Sequence, residues 1–321
     1  MLIIACLFAG AGAPASRAQD ATPAAEIPYV PESDLAQLRE RIIADGSSTV
    51  YPIVAEAAER FMAIAPVPID VEFSGTGGGF RRFCAGESDI QNASRPIDDE
   101  ERAACKAAGV QYEAFRVGFD GITVVVHPTN TWSQCLTVEQ LHAIWEPGNP
   151  EFSWKQIDLA WPDAKIELYG PGPDSGTFDF FTAAIIGEEG VTRTDYQPSE
   201  NDLDLVEGVA SQTYALGYFG FAYFEQDAER LRAVAIDNGS GCVVPTRETI
   251  ADGSYAPLSR PLFLYVNLES LAKPEVREFL RFTIGQTADI VTTVGYVPLP
   301  AADYAANRTQ LDTLLATVPV S

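Results

Sequence analysis

The chain has 321 residues, 46% apolar and 21% charged, enough to bury a core across two lobes of ordinary domain size and too apolar for disorder along most of its length. Its 45 acidic against 21 basic side chains give a formal charge of -24, which excludes a nucleic-acid binder because such a protein needs a basic footprint. That charge also repels a diffusing anion at long range, so any anion site must act through local hydrogen bonds.

Residues 1–18 carry an apolar run at 2–9 and then small residues, the texture of an export signal without its usual basic start. An alternative reading of Ile3-Ile4-Ala5-Cys6 is a lipoprotein box with Cys6 as the lipidated residue. Residues 19–37, with Pro23, Pro28 and Pro31, read as a flexible N-terminal arm. From Arg41 a pattern of strand, polar turn and helix begins. Strand 41–44 leads to Asp45-Gly46-Ser47-Ser48-Thr49 and a helix from Val50 with Pro52 in its first turn. Strand 69–73 leads to Ser74-Gly-Thr-Gly-Gly-Gly79 and a helix from Phe80. Asp89-Ile90 leads to Asn92-Ala93-Ser94-Arg95-Pro96. The β-branched run 119–127 reads as an interior strand, and Thr137 and Gln140 have capping-box spacing for a helix ending at Trp145. Strand 166–170, the turn Asp174-Ser175-Gly176-Thr177 and helix 178–186 repeat the pattern, and strand 261–266 and a helix from Pro274 close it. The fold class is α/β, with ligand groups at strand ends.

Past the signal four cysteines remain, Cys84, Cys105, Cys135 and Cys242, an even number that favours two disulfides in an exported chain. Three pairings are open. The short separation of Cys84 and Cys105 favours that pair, with Cys135 to Cys242. No CxxC is present, and two histidines, His127 and His142, offer neither a metal set nor a catalytic triad. No cofactor or metal is expected.

Four turns, at 45–50, 74–79, 92–95 and 174–177, place hydroxyls where helix N-termini expose unpaired N–H groups, the surroundings a small oxyanion requires. The structural alternative is that Ser, Thr and Asp are ordinary helix caps. The glycine-rich turn lacks the third glycine of a dinucleotide fingerprint, and no GxxxxGK[ST] occurs. Arg95 is the one cation within these turns, and its fork suits an oxyanion. Asp120 is the candidate acceptor for a protonated oxyanion's O–H, whereas Asp45 and Asp174 are placed to brace their own turns.

The motifs DGSSTVYP, SGTGGGF, NASRPI, LTVEQLHAIW and GPDSGTFDFF, in this order over residues 41–300, resemble the periplasmic phosphate-binding protein family, the substrate-binding subunits of phosphate ABC transporters. The resemblance implies a periplasmic solute-binding protein fold: two α/β lobes, a ligand cleft and two crossing segments, near 115–120 and 257–261. By fold analogy lobe 1 is discontinuous, 38–117 and 258–316, and lobe 2 is 118–257. The family's contacts fall on Ser48, Thr49 and the backbone of Val50, on Thr76 beside Gly77, and on Ser175, Gly176 and Thr177. Two positions depart from the family pattern: Ser94 stands where an aspartate is usual, and Pro171 stands where an arginine is usual. Arg95 is then expected to supply the cation. The implied protein is a periplasmic monomer that binds inorganic phosphate, delivers it to membrane ABC permease subunits, and is not an enzyme. The alternatives are another tetrahedral oxyanion, arsenate or sulfate, or a phosphatase using the same cleft.

Overall fold

A computed structural model of the protein describes residues 29–148, 152–173 and 175–318; the signal segment 1–18, Cys6 and Asp174 lie outside the described residues. The first half runs β1 (Ile42–Gly46), α1 (Tyr51–Met62), β2 (Ile69–Val71), α2 (Thr76–Cys84), β3 (Ile90–Ala93) and α3 (Asp99–Ala108). The 15-residue strand β4 (Tyr112–Val126) follows. Then come β5 (Cys135–Thr137), α4 (Val138–Trp145), the short α5 (Trp154–Ile157), β6 (Glu167–Pro171) and α6 (Gly176–Phe181). Next are β7 (Gln197–Ser199), α7 (Asp202–Ser211), β8 (Ala215–Gly220), α8 (Phe221–Gln226), β9 (Arg232–Ala233), β10 (Ala235–Asp237), β11 (Cys242–Val243) and α9 (Arg247–Ala251). The chain ends with β12 (Ser259–Asn267), α10 (Pro274–Thr293), β13 (Val297–Pro298) and α11 (Ala301–Thr317).

Local sequence accounts for most of these boundaries. In α1, Pro52 occupies the first turn and Ile53, Val54, Ala57, Ala58 and Phe61 form one buried stripe at helical spacing. The capping box of α4 is present as expected, with Gln140 N–H donating to Thr137 Oγ1 and Thr137 N–H to Gln140 Oε1. The glycine-rich segment differs from expectation: α2 begins at Thr76, so Gly77, Gly78 and Gly79 form its first turn instead of a turn before it. Packing explains this. A Cβ on Gly79 would lie 2.5 Å from Gly46 Cα and 2.1 Å from Gln91 Oε1, so glycine lets α2 press directly onto β1.

In the sheet, β1 lies between parallel β2 and β3, and β12 runs antiparallel to both β3 and β4. β4 pairs with β12 from Tyr112 to Gly121 and with β8 from Ile122 to Val126, changing partner in mid-strand. The core changes over at the same place. Phe115 and Val117 pack with Ile42, Phe61, Leu264 and Phe279, whereas Phe119 and Ile122 pack with Trp145, Phe181 and Tyr218. β4 and β12 are the two crossing segments between the lobes, and β13 adds a short contact to β4 at Gly118 and Phe119. Val297, Leu299 and Tyr304, late in the chain, join the second cluster, while Leu311 and Leu315 return to the first. Both expected disulfides are present, Cys84–Cys105 joining α2 to α3 and Cys135–Cys242 joining β5 to β11.

Residues 29–37, expected within a flexible arm, are tied down. Tyr29 Oη donates to Glu278 Oε2 (2.6 Å), and the N–H groups of Glu32 and Ser33 donate to Glu278 Oε1 (3.0 and 2.7 Å). Glu275, one turn earlier on α10, accepts from the N–H groups of Arg39 and Glu40. Tyr29 also packs edge-on against Phe61 and Phe282. Glu278 is 1% exposed, so its replacement strands three donors at once. Glu278→Ala is expected to lower unfolding free energy by about 3 kcal/mol. Urea unfolding, with proteolysis to follow release of the arm, checks this; a loss below about 0.5 kcal/mol would show that the strap contributes nothing.

Candidate functional site

The strand ends of both lobes meet at the point where β4 changes partner. Asp120 on β4 and Arg260 on β12 are direct cross-strand partners, and Arg260 Nε donates to Asp120 Oδ2 (3.2 Å). The rest of the guanidinium reaches three turns. Nη2 donates to Thr49 Oγ1 (2.5 Å) and to the Gly176 carbonyl (3.4 Å), and Nη1 donates to Ser94 Oγ (3.3 Å). Its carbon lies 3.8 Å from the centre of the Phe180 ring, so an aromatic face steadies the cation from the second lobe. Ser94 and Thr76 share a hydroxyl contact (3.2 Å), which brings the fourth turn to the same place.

Gly176 shows how closely the lobes meet. A Cβ there would lie 3.0 Å from Thr49 Oγ1 and 3.2 Å from Thr49 N and Cα, so glycine lets the α6 N-terminus approach the turn before α1. Tyr296, beside β13, donates its hydroxyl to the Thr49 carbonyl (2.8 Å) and holds that turn from the crossing region. Ser48 hydrogen-bonds Asp179 in α6; burial and then Glu189 raise the pKa of that carboxyl, against Arg260 and Ser48.

Asp120 is 1% exposed, and its Oδ1 has no hydrogen-bond partner among the described residues. Burial pushes its pKa up, opposed by the charge and hydrogen bond of Arg260. The pair of a half-buried arginine and a buried carboxylate therefore presents donors on one side and an unfilled acceptor on the other. Asp45, by contrast, is fully used, accepting from Gly46 N–H, Ser74 N–H, Ser74 Oγ and Arg82. Burial opposes its ionisation, but the Ser74 and Gly46 hydrogen bonds and then Arg82 outweigh it and hold its pKa down. It braces its turn.

Of the sequence-derived candidates, Ser48, Thr49, Thr76, Ser94, Ser175, Gly176 and Thr177 lie on the turns that converge here, and Asp120 lies beside them on β4. Ser175 caps α6 by accepting the Thr177 N–H (3.2 Å). Val50 is the N-cap of α1, and its N–H is spent on the Ser47 carbonyl (3.2 Å), closing the turn. Arg95 is placed otherwise than expected: Glu101 takes its Nη1 (2.8 Å) and Nη2 (2.7 Å) as a bidentate partner. Gly77 faces that pair, with a Cβ position 3.7 Å from both side chains. Sequence reasoning missed Arg260. Its one signal was its place at the start of a strand crossing toward Asp120.

Residues 14–287 match a family model described as a PBP superfamily domain. Protein SphX of Synechocystis sp. is 48% identical over 273 residues, which span 84% of this chain and 81% of that protein. The phosphate-binding protein PstS of Staphylococcus saprophyticus is 36% identical over 274 residues, 84% of each. The chain belongs to the periplasmic phosphate-binding protein family. A solved structure of "a possible phosphate binding protein from Planctomyces limnophilus DSM 3776" superposes with a TM-score of 0.83 at 43% identity, covering 87% of this chain and 100% of that one. Within the family's two-lobed fold, the departures at Ser94 and Pro171 acquire a setting. Ser94 contacts Arg260, and Pro171 ends β6 with its carbonyl taken by the Tyr196 hydroxyl (3.0 Å).

Proposed function

We propose that the protein captures inorganic phosphate between its lobes and delivers it, chemically unaltered, to the membrane subunits of an ABC importer. The lobes divide as 38–117 with 258–316 and 118–257, and the contact set is Ser48, Thr49, Thr76, Ser94, Asp120, Ser175, Gly176, Thr177 and Arg260. The observation that carries this reading is the cross-strand pair of Arg260 and Asp120, gathered with Thr49, Ser94 and Gly176 from both lobes. Arg260 and the hydroxyls donate to ionised oxygens, and Asp120 Oδ1 accepts the O–H that phosphate keeps at neutral pH. The protein works outside the cytoplasmic membrane as a monomer. Among the described residues no helix is long and apolar enough to cross a membrane.

Calorimetry should give one phosphate per chain at micromolar protein, with the anion recovered unchanged and no release of nitrophenol from p-nitrophenyl phosphate. Absence of phosphate heat from protein stripped of bound anion, or turnover of the ester, would overturn the reading.

A further inference from the structure

A second group of donors lies in the other lobe, on the loop after β4 and on β9. Asn130 and Ser133 are both 0% exposed. Asn130 Oδ1 accepts from Ser133 N–H (3.1 Å), Ser133 Oγ (3.0 Å) and Arg232 Nη2 (3.3 Å), while Arg232 Nη2 also donates to the Ser133 carbonyl (3.0 Å). Three donors crowd onto one amide oxygen, which fixes the amide's orientation and leaves its Nδ2 buried without an acceptor. Arg232 Nε is also buried and unpartnered, as is the indole N–H of Trp132 on the same loop.

This local excess of donors runs against the composition of the chain. With 45 acidic side chains for 21 basic ones, an arginine has many carboxylates to choose from, yet no acidic side chain pairs with Arg232 among the described residues. Burial alone lowers its pKa, with no counter-charge to raise it. A partly buried guanidinium without a counter-ion, beside a fully buried amide N–H without an acceptor, is costly unless an anion completes it. The donor set also defines the anion. One positive charge and a few N–H groups match a planar monoanion that accepts through two oxygens, whereas a tetrahedral dianion needs the many converging donors of the interlobe site.

We propose that Arg232 and Asn130 form a separate site for one small carboxylate, with Trp132 beside it on the loop. The site is separate from phosphate capture: it stands on β9 and the 127–134 loop, and among the described residues none of its side chains hydrogen-bonds Arg260 or Asp120.

The test uses the 15N-labelled chain saturated with phosphate, so that the interlobe site is occupied, and titrates acetate at constant ionic strength. The Asn130 side-chain amide resonance is followed in the wild type and Arg232→Gln, and the Trp132 indole resonance in these and in Asn130→Asp. The expected result is a saturable shift of both signals in the wild type, its loss from both in Arg232→Gln and its loss from the indole in Asn130→Asp. Asn130→Asp supplies the missing carboxylate from within the chain, so it should also melt at a higher temperature than the wild type. If Arg232→Gln does not fold, Asn130→Asp carries the test through both readouts. Absence of a saturable acetate shift in the wild type, or its persistence in Asn130→Asp, overturns the proposal.

Discussion

Arg260→Ala is expected to weaken phosphate binding by at least about 4 kcal/mol, roughly a thousand-fold. Two effects add. The substitution deletes the donor that reaches Thr49, Ser94 and Gly176, the groups that define the meeting of the lobes. It also leaves Asp120, 1% exposed, as a buried carboxylate without its cation, facing an incoming anion of the same sign. Arg95→Ala provides the contrast. Its guanidinium serves Glu101, which is also the third residue of the capping box that starts α3, so the change should act on that cap and leave phosphate affinity within a few-fold. Calorimetric titration of the two variants side by side reads both outcomes. A thousand-fold loss in Arg95→Ala with near-normal binding in Arg260→Ala would assign the cation to the other arginine.

The second large effect concerns selectivity. Asp120 Oδ1 is buried and accepts no hydrogen bond within the described residues, so it rewards a ligand that brings a proton. Phosphate at neutral pH does so. Fully ionised sulfate does not, and places a lone pair against the carboxylate. Asp120→Asn converts this acceptor into an amide that can donate, and it removes the repelling charge while Arg260 remains. The preference for phosphate over sulfate is expected to shrink by about 3 kcal/mol, roughly a hundred-fold, mostly through newly measurable sulfate binding. Competition calorimetry checks it, and arsenate, which keeps its O–H, should follow phosphate throughout. An unchanged preference would remove Asp120 from the discrimination.

Much of the fold is legible in the residues because it rests on short-range signals. The polar turns stand between strand and helix patterns at 41–62 and 69–84, the capping box at Thr137 and Gln140 forms as written, and the close pair Cys84–Cys105 fixes the other disulfide. What escapes sequence reading depends on distant register. Arg260 faces Asp120 across antiparallel strands 140 positions apart in the chain, and no periodicity reports that alignment. Arg95 pairs with Glu101 for a local reason present in the sequence: Asp98 and Glu101 have capping-box spacing, which anchors Glu101 beside it. The docked arm is hidden for another reason. Glu275 and Glu278 look like a solvated helix face, whereas both are buried and serve as acceptors for backbone N–H groups of residues 32–40. The glycine run starts a helix because Gly79 lies against Gly46, a tertiary contact that overrides the poor helix propensity of glycine.

The central claim is that the Arg260–Asp120 pair, drawn from the two crossing strands, holds the anion. A crystal structure of the phosphate complex tests it most directly. The expected result is one phosphate with an oxygen within hydrogen-bond distance of Arg260, a second oxygen bonded to Asp120 Oδ1, and Arg95 still paired with Glu101. A phosphate bound by Arg95, with Arg260 and Asp120 paired only to each other, would contradict it.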